Sequence, residues 1–189
     1  MTTTLETLPG HQRALVEDEA GQPVLANNVA LPALLPRTIL VKTTAVAVNP
    51  FDYKMPTNFP SAGATIGIDF VGRIVRIDTE AASLRPDLSA GDTVCGFIHG
   101  SNPAAPDSGT FAEYVRAPAQ LVYKVPAAMK VEEAATYGCA LASMCLALWK
   151  SLDLPASPRQ PLTAGSPAYV LVYGGSTATG TMALQLLKL

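Results

Sequence analysis

The sequence predicts an α+β chain in two parts, a small curved β domain followed by the beginning of an α/β domain. Up to about residue 126, short runs of β-branched and aromatic residues alternate with Gly and Pro, which is typical of the short strands of a barrel or strongly curved sheet. Beyond that point the chain becomes rich in Ala and Leu, and an apolar run, a glycine turn and a helical pattern follow in order. We therefore place the boundary between residues 126 and 127.

The first part carries a series of predicted strands. The first two flank a turn at Glu19–Gln22 that contains Gly21, which predicts a hairpin. Thr38–Asn49 has the longest β-branched run and is predicted to be a central strand. The predicted strands are Arg13–Glu17, Pro23–Asn27, Thr38–Asn49, Phe70–Ile77, Asp92–Ile98, Gly109–Ala117 and Gln120–Pro126.

The second part begins with a helical segment. Val131–Leu152 is rich in Ala and Leu, and Glu132 and Glu133 stand where negative charge stabilises a helix N-terminus. Gly138 is expected to divide this segment into two helices or to kink it. Asp153–Ala168 is rich in Pro and Ser and is predicted to be an exposed loop.

Composition excludes several classes of partner. The chain has 189 residues, of which 49% are hydrophobic and 15% charged, with a net charge of −2 and no cluster of Lys or Arg. This balance argues against nucleic acid or an anionic membrane surface as a partner, and no apolar run reaches the roughly 18–20 residues of a membrane span. The three cysteines are odd in number and lie in apolar contexts, which favours reduced thiols and a cytoplasmic location.

The stretch "YVLVYGGSTATG" (Tyr169–Gly180) carries the strongest chemical signal. It predicts a buried strand over Tyr169–Tyr173, a tight turn at Gly174 and Gly175, and a helix running to about Leu189. Hydroxyl side chains then stand at the helix N-terminus, where free N–H groups attract phosphate. Because Thr177 and Ala178 interrupt the usual glycine spacing, a purely structural turn stays open as the alternative.

Two further stretches carry polar residues next to predicted strands. "AVAVNPFDYKM" (Ala45–Met55) places Asp52 and Lys54 after a strand end, although Asp52 could simply cap a helical turn and Lys54 could be a solvated charge. "GATIGIDFVGRIVRI" (Gly63–Ile77) contains Asp69 between two glycines, which favours a close backbone approach and a structural role.

Taken in order, these stretches resemble the medium-chain dehydrogenase/reductase superfamily. The segments "AGDTVCGF", "GTFAEYV" and "VPAAMKVEEAA" fall in the same order. The resemblance implies an α+β GroES-like β-barrel domain with a catalytic role over residues 1–126. It also implies linking helices and the first βα unit of an α/β Rossmann domain, cut short, over residues 127–189.

The resemblance also distinguishes branches of the superfamily. Zinc-dependent alcohol dehydrogenases would place Cys at Asn49, Gly-His-Glu at 67–69 and a four-cysteine lobe where this chain has only Cys95, so no metal is expected. "NPFDYK" and "VLVYGGSTAT" are similar to fungal trans-acting enoyl reductases of the lovastatin enoyl reductase type, which serve polyketide synthases.

That similarity implies a reaction and its partners. In the family, NADPH reduces an α,β-unsaturated thioester carried on the acyl-carrier domain of the synthase, and the full-length protein is expected to be a monomer. Lys54 would have a catalytic or positioning role. The nicotinamide–ribose end would meet Phe51, Asp52, Tyr53 and Lys54. The pyrophosphate would be held by Gly174, Gly175, Ser176, Thr177, Ala178 and Thr179. The acyl pocket would be lined by Ala140, Leu141, Ala142, Ser143, Met144, Cys145, Leu146 and Ala147.

Two other functions stay open at this point. One is a zinc-independent quinone or enone reductase that acts on free small molecules, and the other is a non-catalytic remnant. Only the first strand of a Rossmann domain is recognisable, so the choice between NADP and NAD rests on the resemblance alone. The 189-residue chain by itself is expected to be inactive. Val170–Val172 and the apolar face of Met182–Leu189 are expected to be exposed.

Overall fold

A computed structural model of the chain describes residues 7–161 and 169–188. The contacts between its residues divide the chain into two compact units, Met1–Gly138 and Cys139–Leu189. The first unit therefore continues a few residues beyond the boundary predicted at residues 126 and 127, because the short helix that follows packs on the sheet. The domain division itself stays a prediction.

The first unit contains a two-stranded and a five-stranded antiparallel sheet. Strand order is β1-β2 in the small sheet and β6-β3-β4-β5-β7 in the large one, so the strand predicted to be central does lie inside the sheet. The strands are β1 His11–Glu17, β2 Pro23–Ala30, β3 Thr38–Ala47, β4 Asp69–Ile77, β5 Thr93–Phe97, β6 Tyr114–Pro118 and β7 Val122–Lys124.

The five-stranded sheet is covered on both faces. Ile39 and Val41 of β3 are fully buried in one cluster with Phe70 and Ile74 of β4. Further along β3, Ala45 and other small residues pack in a second cluster, which includes Val71, Cys95 and the residues of a short helix. On β4 the adjacent residues Phe70 and Val71 enter different clusters, and on β3 a register shift between Thr43 and Ala45 separates the two groups. The second cluster underlies the polar cluster described below.

Helices of the first unit connect the strands. They are α1 Pro50–Asn58, α2 Thr79–Leu84 and α3 Val131–Ala134, with a 3₁₀ turn at Ala119–Leu121. The sequence did not predict α2, because six residues are too few to show a helical period. Its start is nevertheless fixed locally, since the Asp78 carboxylate accepts hydrogen bonds from the N–H groups of Glu80 and Ala81 at 2.9 and 3.3 Å.

The loop between β5 and β6 replaces part of a predicted strand. The strand predicted from Gly109 begins only at Tyr114, because the preceding backbone bonds to a neighbouring loop: Thr110 N–H donates to Gly67 and Phe111 N–H to Ile66. The same loop is fastened by Arg116, which donates to both carboxylate oxygens of Asp107 at 2.6 and 2.7 Å. The strand predicted from Gln120 likewise begins late, after the 3₁₀ turn.

The second unit is mostly helical. Helix α4 Gly138–Cys145 begins in the first unit at Gly138 and continues into a π-helical turn at Leu146–Ser151, and α5 spans Ala178–Leu186. The predicted division of the helical segment at Gly138 is confirmed, since α3 ends at Ala134. The segment predicted to be helical up to Leu152 is helical as far as Ser151, but beyond Cys145 its hydrogen bonding widens to the π pattern.

The strand predicted at Tyr169–Tyr173 is also not formed. Residues 169–172 lie outside any strand and 173 lies in a turn, and Tyr169, Leu171 and Tyr173 are 90%, 94% and 100% exposed. A parallel strand needs a neighbour for its backbone hydrogen bonds, and no strand within residues 7–161 and 169–188 pairs with this segment. Of the residues expected to be exposed, Leu171 and, at 39%, Val170 are exposed, whereas Val172 is half-buried and Met182 of α5 is buried.

Two predictions fall partly outside the described residues. The loop predicted over Asp153–Ala168 includes residues 162–168, and the helix predicted to reach Leu189 includes the last residue. Within the described parts of the chain, no helix has both the length and the apolar character that crossing a bilayer requires.

Candidate active site

A buried polar cluster lies where β3 ends and β4 begins. The two strands run antiparallel, and Ala47 pairs with Asp69 at this end of the ladder. Two residues beyond Ala47 the chain reaches Asn49, the N-cap of α1. The sheet register therefore brings Asn49 to the first residue of β4, although 20 residues separate them in sequence.

Asn49 connects two carboxylates. Its side-chain Nδ2 donates to Asp69 Oδ2 at 2.9 Å, and its backbone N–H donates to Asp52 Oδ2 at 2.7 Å. The second bond is half of a capping box, in which the third helical residue reaches back to the N-cap. The start of α1 is thus bonded both to itself and to β4.

Both carboxylates are buried, with Asp52 6% and Asp69 1% exposed. Asp52 Oδ1 has no hydrogen-bond partner among the described residues. The pKa of Asp52 is raised to about 6. Burial is the main cause and the nearby charge of Asp69 adds to it, while the hydrogen bond from the Asn49 N–H acts in the opposite direction. Asp52 is therefore a carboxyl group that holds its proton up to the edge of the neutral range.

Other buried groups close the cluster around Asp69. Burial, followed by the charge of Asp69, raises the pKa of the Cys95 thiol to about 11, so this cysteine is an inert thiol rather than a nucleophile. Gly138 lies against the same carboxylate, because a Cβ at that position would come within 2.7 Å of Asp69 Oδ1 and 2.4 Å of the Gly96 carbonyl oxygen. Only glycine permits this approach.

Helix α1 presents different residues to the interior and to solvent. Asp52 and Pro56, one helical turn apart, are buried, while Tyr53 and Lys54 are exposed. The Phe51 ring makes an edge contact with the His99 ring, with centroids 5.4 Å apart. The Lys54 ammonium has neither a hydrogen bond nor an ion pair with any residue that the structure describes, so it is available to a ligand.

The glycine turn of the second unit is held closed by contacts among Gly174, Thr177 and Gly180. Gly174 has a φ of +80°, and a Cβ on Gly180 would come within 2.2 Å of the Gly174 carbonyl oxygen. Thr177 Oγ1 accepts from Gly180 N–H at 3.0 Å and donates to the Gly174 carbonyl at 2.8 Å. Thr177 is thus the N-cap of α5.

This turn fits a phosphate group. Ser176 and Thr179 are exposed at the start of α5. The N–H groups of the first turn of a helix have no hydrogen-bond acceptor within the helix. The Thr177 hydroxyl is already engaged in the cap, so exposed hydroxyls and backbone N–H groups remain as the donors. The absence of side chains at Gly174 and Gly175 leaves the approach open on that side.

Comparison with known proteins identifies the family. The model of the alcohol dehydrogenase GroES-like domain matches residues 35–127. The trans-enoyl reductase poxP of Penicillium oxalicum is 47% identical over 184 residues, which cover 97% of this chain and 48% of that protein. An alcohol dehydrogenase superfamily protein from Novosphingobium aromaticivorans has a TM-score of 0.75 at 25% identity, covering 94% of this chain and 50% of that one. The chain belongs to the medium-chain dehydrogenase/reductase superfamily.

Other comparisons agree with this assignment. Further fungal enoyl reductases align at 42% to 47% identity, and the chain spans about half the length of the curated relatives it matches. A mycobacterial protein solved in complex with NADPH shares the fold, with a TM-score of 0.62 at 21% identity over 77% of this chain and 43% of that one. The predicted GroES-like domain followed by the start of a Rossmann domain is therefore confirmed.

This chain has Asn and Asp side chains at two positions where zinc-dependent alcohol dehydrogenases are expected to have zinc ligands. Asn49 and Asp69 stand where the predicted alignment would place Cys and Glu, and they bond to each other. Across residues 7–161 and 169–188, no three His, Cys, Asp or Glu side chains are grouped so that they could hold a metal ion.

The predicted acyl-pocket residues lie on α4 and the turn that follows it. Most of them are half-buried, whereas Ala140 is buried and Leu146, in the π-helical turn, is exposed. The Ser143 hydroxyl lies 3.8 Å from the Cys139 thiol, one helical turn away, so it already has a weak partner. Their role in binding substrate stays a prediction.

Sequence reasoning did not find the partnership of Asn49 and Asp69. It treated Asn49 as a position that zinc enzymes fill with Cys, and Asp69 as structural. The signal that could have found it is topological: polar residues at the end of one strand and at the start of its antiparallel neighbour must meet at the same sheet edge.

Proposed function

We propose that the protein is an NADPH-dependent trans-acting enoyl reductase. Its substrate would be the α,β double bond of a polyketide intermediate carried as a thioester on the acyl-carrier domain of a polyketide synthase. The observation that carries this proposal is the 47% identity to a trans-enoyl reductase across 97% of this chain. We also propose that residues 1–126 form the catalytic domain, that residues 127–189 begin the cofactor domain, and that the full-length protein works as a cytoplasmic monomer.

The glycine turn supports a dinucleotide as the cofactor. In the proposal Gly174 and Gly175 let the backbone approach the pyrophosphate, and the N-terminus of α5, with Ser176 and Thr179, donates hydrogen bonds to it. When bound, NADPH would supply the hydride for the β-carbon, and a proton from solvent would go to the α-carbon, so that the products would be the saturated thioester and NADP⁺.

Lys54 is the proposed catalytic residue. Its ammonium is exposed near the start of α1, whereas Asp52 and Pro56 of the same helix are buried. It would donate a hydrogen bond to the ribose or to the thioester oxygen, where negative charge grows as the hydride arrives. Phe51 and Tyr53 would flank the nicotinamide–ribose end. Asp52 points into the domain, so its contribution would be made through the backbone of α1.

The experiment is a turnover assay on the full-length protein. We expect consumption of NADPH with a crotonyl thioester on a carrier domain, and much slower consumption with a free quinone. Faster turnover of the quinone would favour the quinone reductase, and no turnover of either substrate would contradict an enzymatic role.

Lys54→Ala tests the residue assignment in the same assay. Loss of one hydrogen-bond donor to developing charge is expected to lower kcat about 10²-fold. Lys130→Ala removes an exposed lysine next to α3 and is the matched control. Normal turnover of the Lys54→Ala protein would remove the role given to this residue.

A further inference from the structure

We propose that Asn49 and Asp69 are positioning residues, which together hold the first turn of α1 against β4 so that Lys54 faces the reacting thioester. This inference rests on the proposed function for its catalytic part. It assigns a role to two residues that never touch the substrate, and its structural part can be tested without turnover.

The first step concerns the chain that enters α1, which has little packing to hold it in place. The chain leaves β3 at Ala47 and enters the helix at Pro50, and the residue between Ala47 and Asn49, Val48, is 78% exposed. The helix N-terminus therefore gains no support from core packing of its approach. Its hold comes from the polar contacts of Asn49, together with the burial of Asp52 and the contact between the Phe51 and His99 rings.

The second step is the direction of those contacts. Asn49 Nδ2 donates to Asp69 Oδ2 at 2.9 Å, and this bond joins the N-cap to a residue that lies inside the sheet ladder. Asp69 pairs with Ala47 on one side and Phe97 on the other, so its backbone is fixed by both neighbouring strands. The carboxylate of Asp69 is therefore a rigid anchor, and the carboxamide of Asn49 is the link to the helix.

The third step is that burial makes the link costly to break. Asp69 is 1% exposed, and Gly138 closes the other side of its carboxylate at a distance that leaves no space for a Cβ. Removing the Asn49 donor would leave a buried carboxylate short of a hydrogen bond, which costs more than the bond contributes. The helix start is accordingly held in one orientation.

The fourth step connects the anchor to Lys54. Asn49 N–H also holds Asp52 Oδ2 at 2.7 Å, so a displaced Asn49 would release the inward face of the first helical turn. Lys54 follows two residues beyond Asp52, at the start of the next turn and on the exposed side of the helix. A displacement of about 1 Å at the reacting groups can cost an enzyme about 10²-fold in rate.

The structural part is tested by amide hydrogen exchange of the full-length protein. In Asn49→Ala we expect the amides of α1 to exchange at least about tenfold faster, because the helix start opens more often. Asp69→Asn keeps an acceptor for Asn49 Nδ2 and should change the exchange of α1 little. Asp78→Ala, which removes the N-cap of α2, is the matched control and should loosen α2 alone. Unchanged exchange of α1 in Asn49→Ala would overturn the proposal.

The catalytic part is tested by coupling to Lys54. We expect Asn49→Ala to lower kcat at least about tenfold in the presence of Lys54 and less than about twofold in a Lys54→Ala background. Equal losses in the two backgrounds would show that Asn49 does not act through Lys54 and would overturn this part.

The two proposals fail in different ways. If the wild-type protein reduces no enoyl thioester, the proposed function and the catalytic part of this inference are both wrong, while the exchange of α1 still decides whether Asn49 and Asp69 anchor the helix. If the wild-type protein is active but Asn49→Ala keeps its kcat, only the positioning role is wrong.

Discussion

At the scale of single residues, Asp52 is a buried carboxyl group whose pKa is raised by its environment. One of its oxygens accepts a backbone hydrogen bond and the other has no partner among the described residues. An acid in that position is more stable with its proton than without it. Its ordinary pKa of 3.8 is raised to about 6, so ionisation of Asp52 opposes folding at neutral pH.

The sign of the resulting pH dependence follows from linkage. Between about pH 4 and pH 6 the folded protein binds more of this proton than the unfolded protein does, so the contribution of Asp52 to the free energy of unfolding falls as the pH rises. A rise of about two pKa units corresponds to about 3 kcal/mol. Asp52→Asn, which keeps the shape and an acceptor oxygen, should flatten this dependence and be more stable than the wild type at pH 8. Urea unfolding from pH 4.5 to 8 measures it.

Asp78 provides a comparison of opposite sign. The N–H of Arg37, followed by those of the α2 N-terminus, lowers the pKa of Asp78. Its contribution to stability is present above its ordinary pKa and is lost as the pH falls further. Asp78→Asn should therefore lose stability at neutral pH, where Asp52→Asn gains it. A loss at pH 8 for Asp52→Asn would mean that the ionised carboxylate is stabilised by a group other than those described.

Gly180 gives a second prediction at this scale. A Cβ there would overlap the Gly174 carbonyl oxygen, at 2.2 Å, so Gly180→Ala must open the turn. We expect the affinity for NADPH, measured by fluorescence titration of the full-length protein, to fall at least about tenfold through loss of the helix-terminus geometry. Gly10→Ala is the matched control, since a Cβ there meets no atom within 4 Å. Unchanged affinity in Gly180→Ala would contradict the role of the turn.

At the scale of elements, α5 depends on its cap. Thr177 bonds to both Gly174 and Gly180 through one hydroxyl, and a short helix with exposed neighbours has little packing to replace those bonds. Thr177→Val keeps the shape and removes the hydroxyl, which should destabilise α5 by about 1 kcal/mol.

Amide exchange of α5 measures this effect. The amides of Thr181 and the residues after it should exchange about fivefold faster in Thr177→Val, as expected for a loss of about 1 kcal/mol. Thr177→Ser keeps the hydroxyl and should exchange like the wild type. If the valine and serine variants exchange alike, the cap does not stabilise the helix.

Elements also show what the sequence could predict. The strands and the division at Gly138 were predictable, because each depends on local apolar alternation or on a single residue. The wrong segments are those that depend on partners far away in sequence. Thr110 and Phe111 donate to the Ile66–Gly67 loop, and Phe111 and Glu113 bond to β1, so this segment does not extend β6 in the predicted way. Tyr169–Tyr173 has no neighbouring strand in the described residues.

The candidate site likewise has some features that follow from local sequence and others that depend on residues far away in sequence. The glycine turn follows from local pattern and was predicted, and the exposure of Lys54 agrees with the alternative that it is a solvated charge. The inward direction of Asp52, the buried environment of Asp69 and the bond between Asn49 and Asp69 depend on sheet register, which local pattern does not encode.

At the scale of the whole molecule, a β domain with two hydrophobic layers is joined to a second unit with much apolar surface in contact with solvent. Tyr169, Leu171 and Tyr173 are each at least 90% exposed. Three neighbouring apolar side chains in this state form a surface that associates with other apolar surfaces. The consequence for this 189-residue chain is self-association in solution.

Sedimentation of the 189-residue chain tests this expectation. The variant Leu171→Lys/Tyr173→Lys should sediment with a smaller mean mass than the wild type and bind less of an apolar fluorescent dye. Leu25→Lys, which changes an apolar residue that is 58% exposed on β2, is the matched control and should have little effect. Equal association of the wild type and the double variant would place the associating surface elsewhere.

The fastening of the loop between β5 and β6 has a consequence for the conditions that the protein tolerates. Two charge-assisted bonds join Arg116 to Asp107, and the Arg116 side chain is only 11% exposed. A loop held in this way is sensitive to concentrated salt, because screening of the charges weakens such a pair.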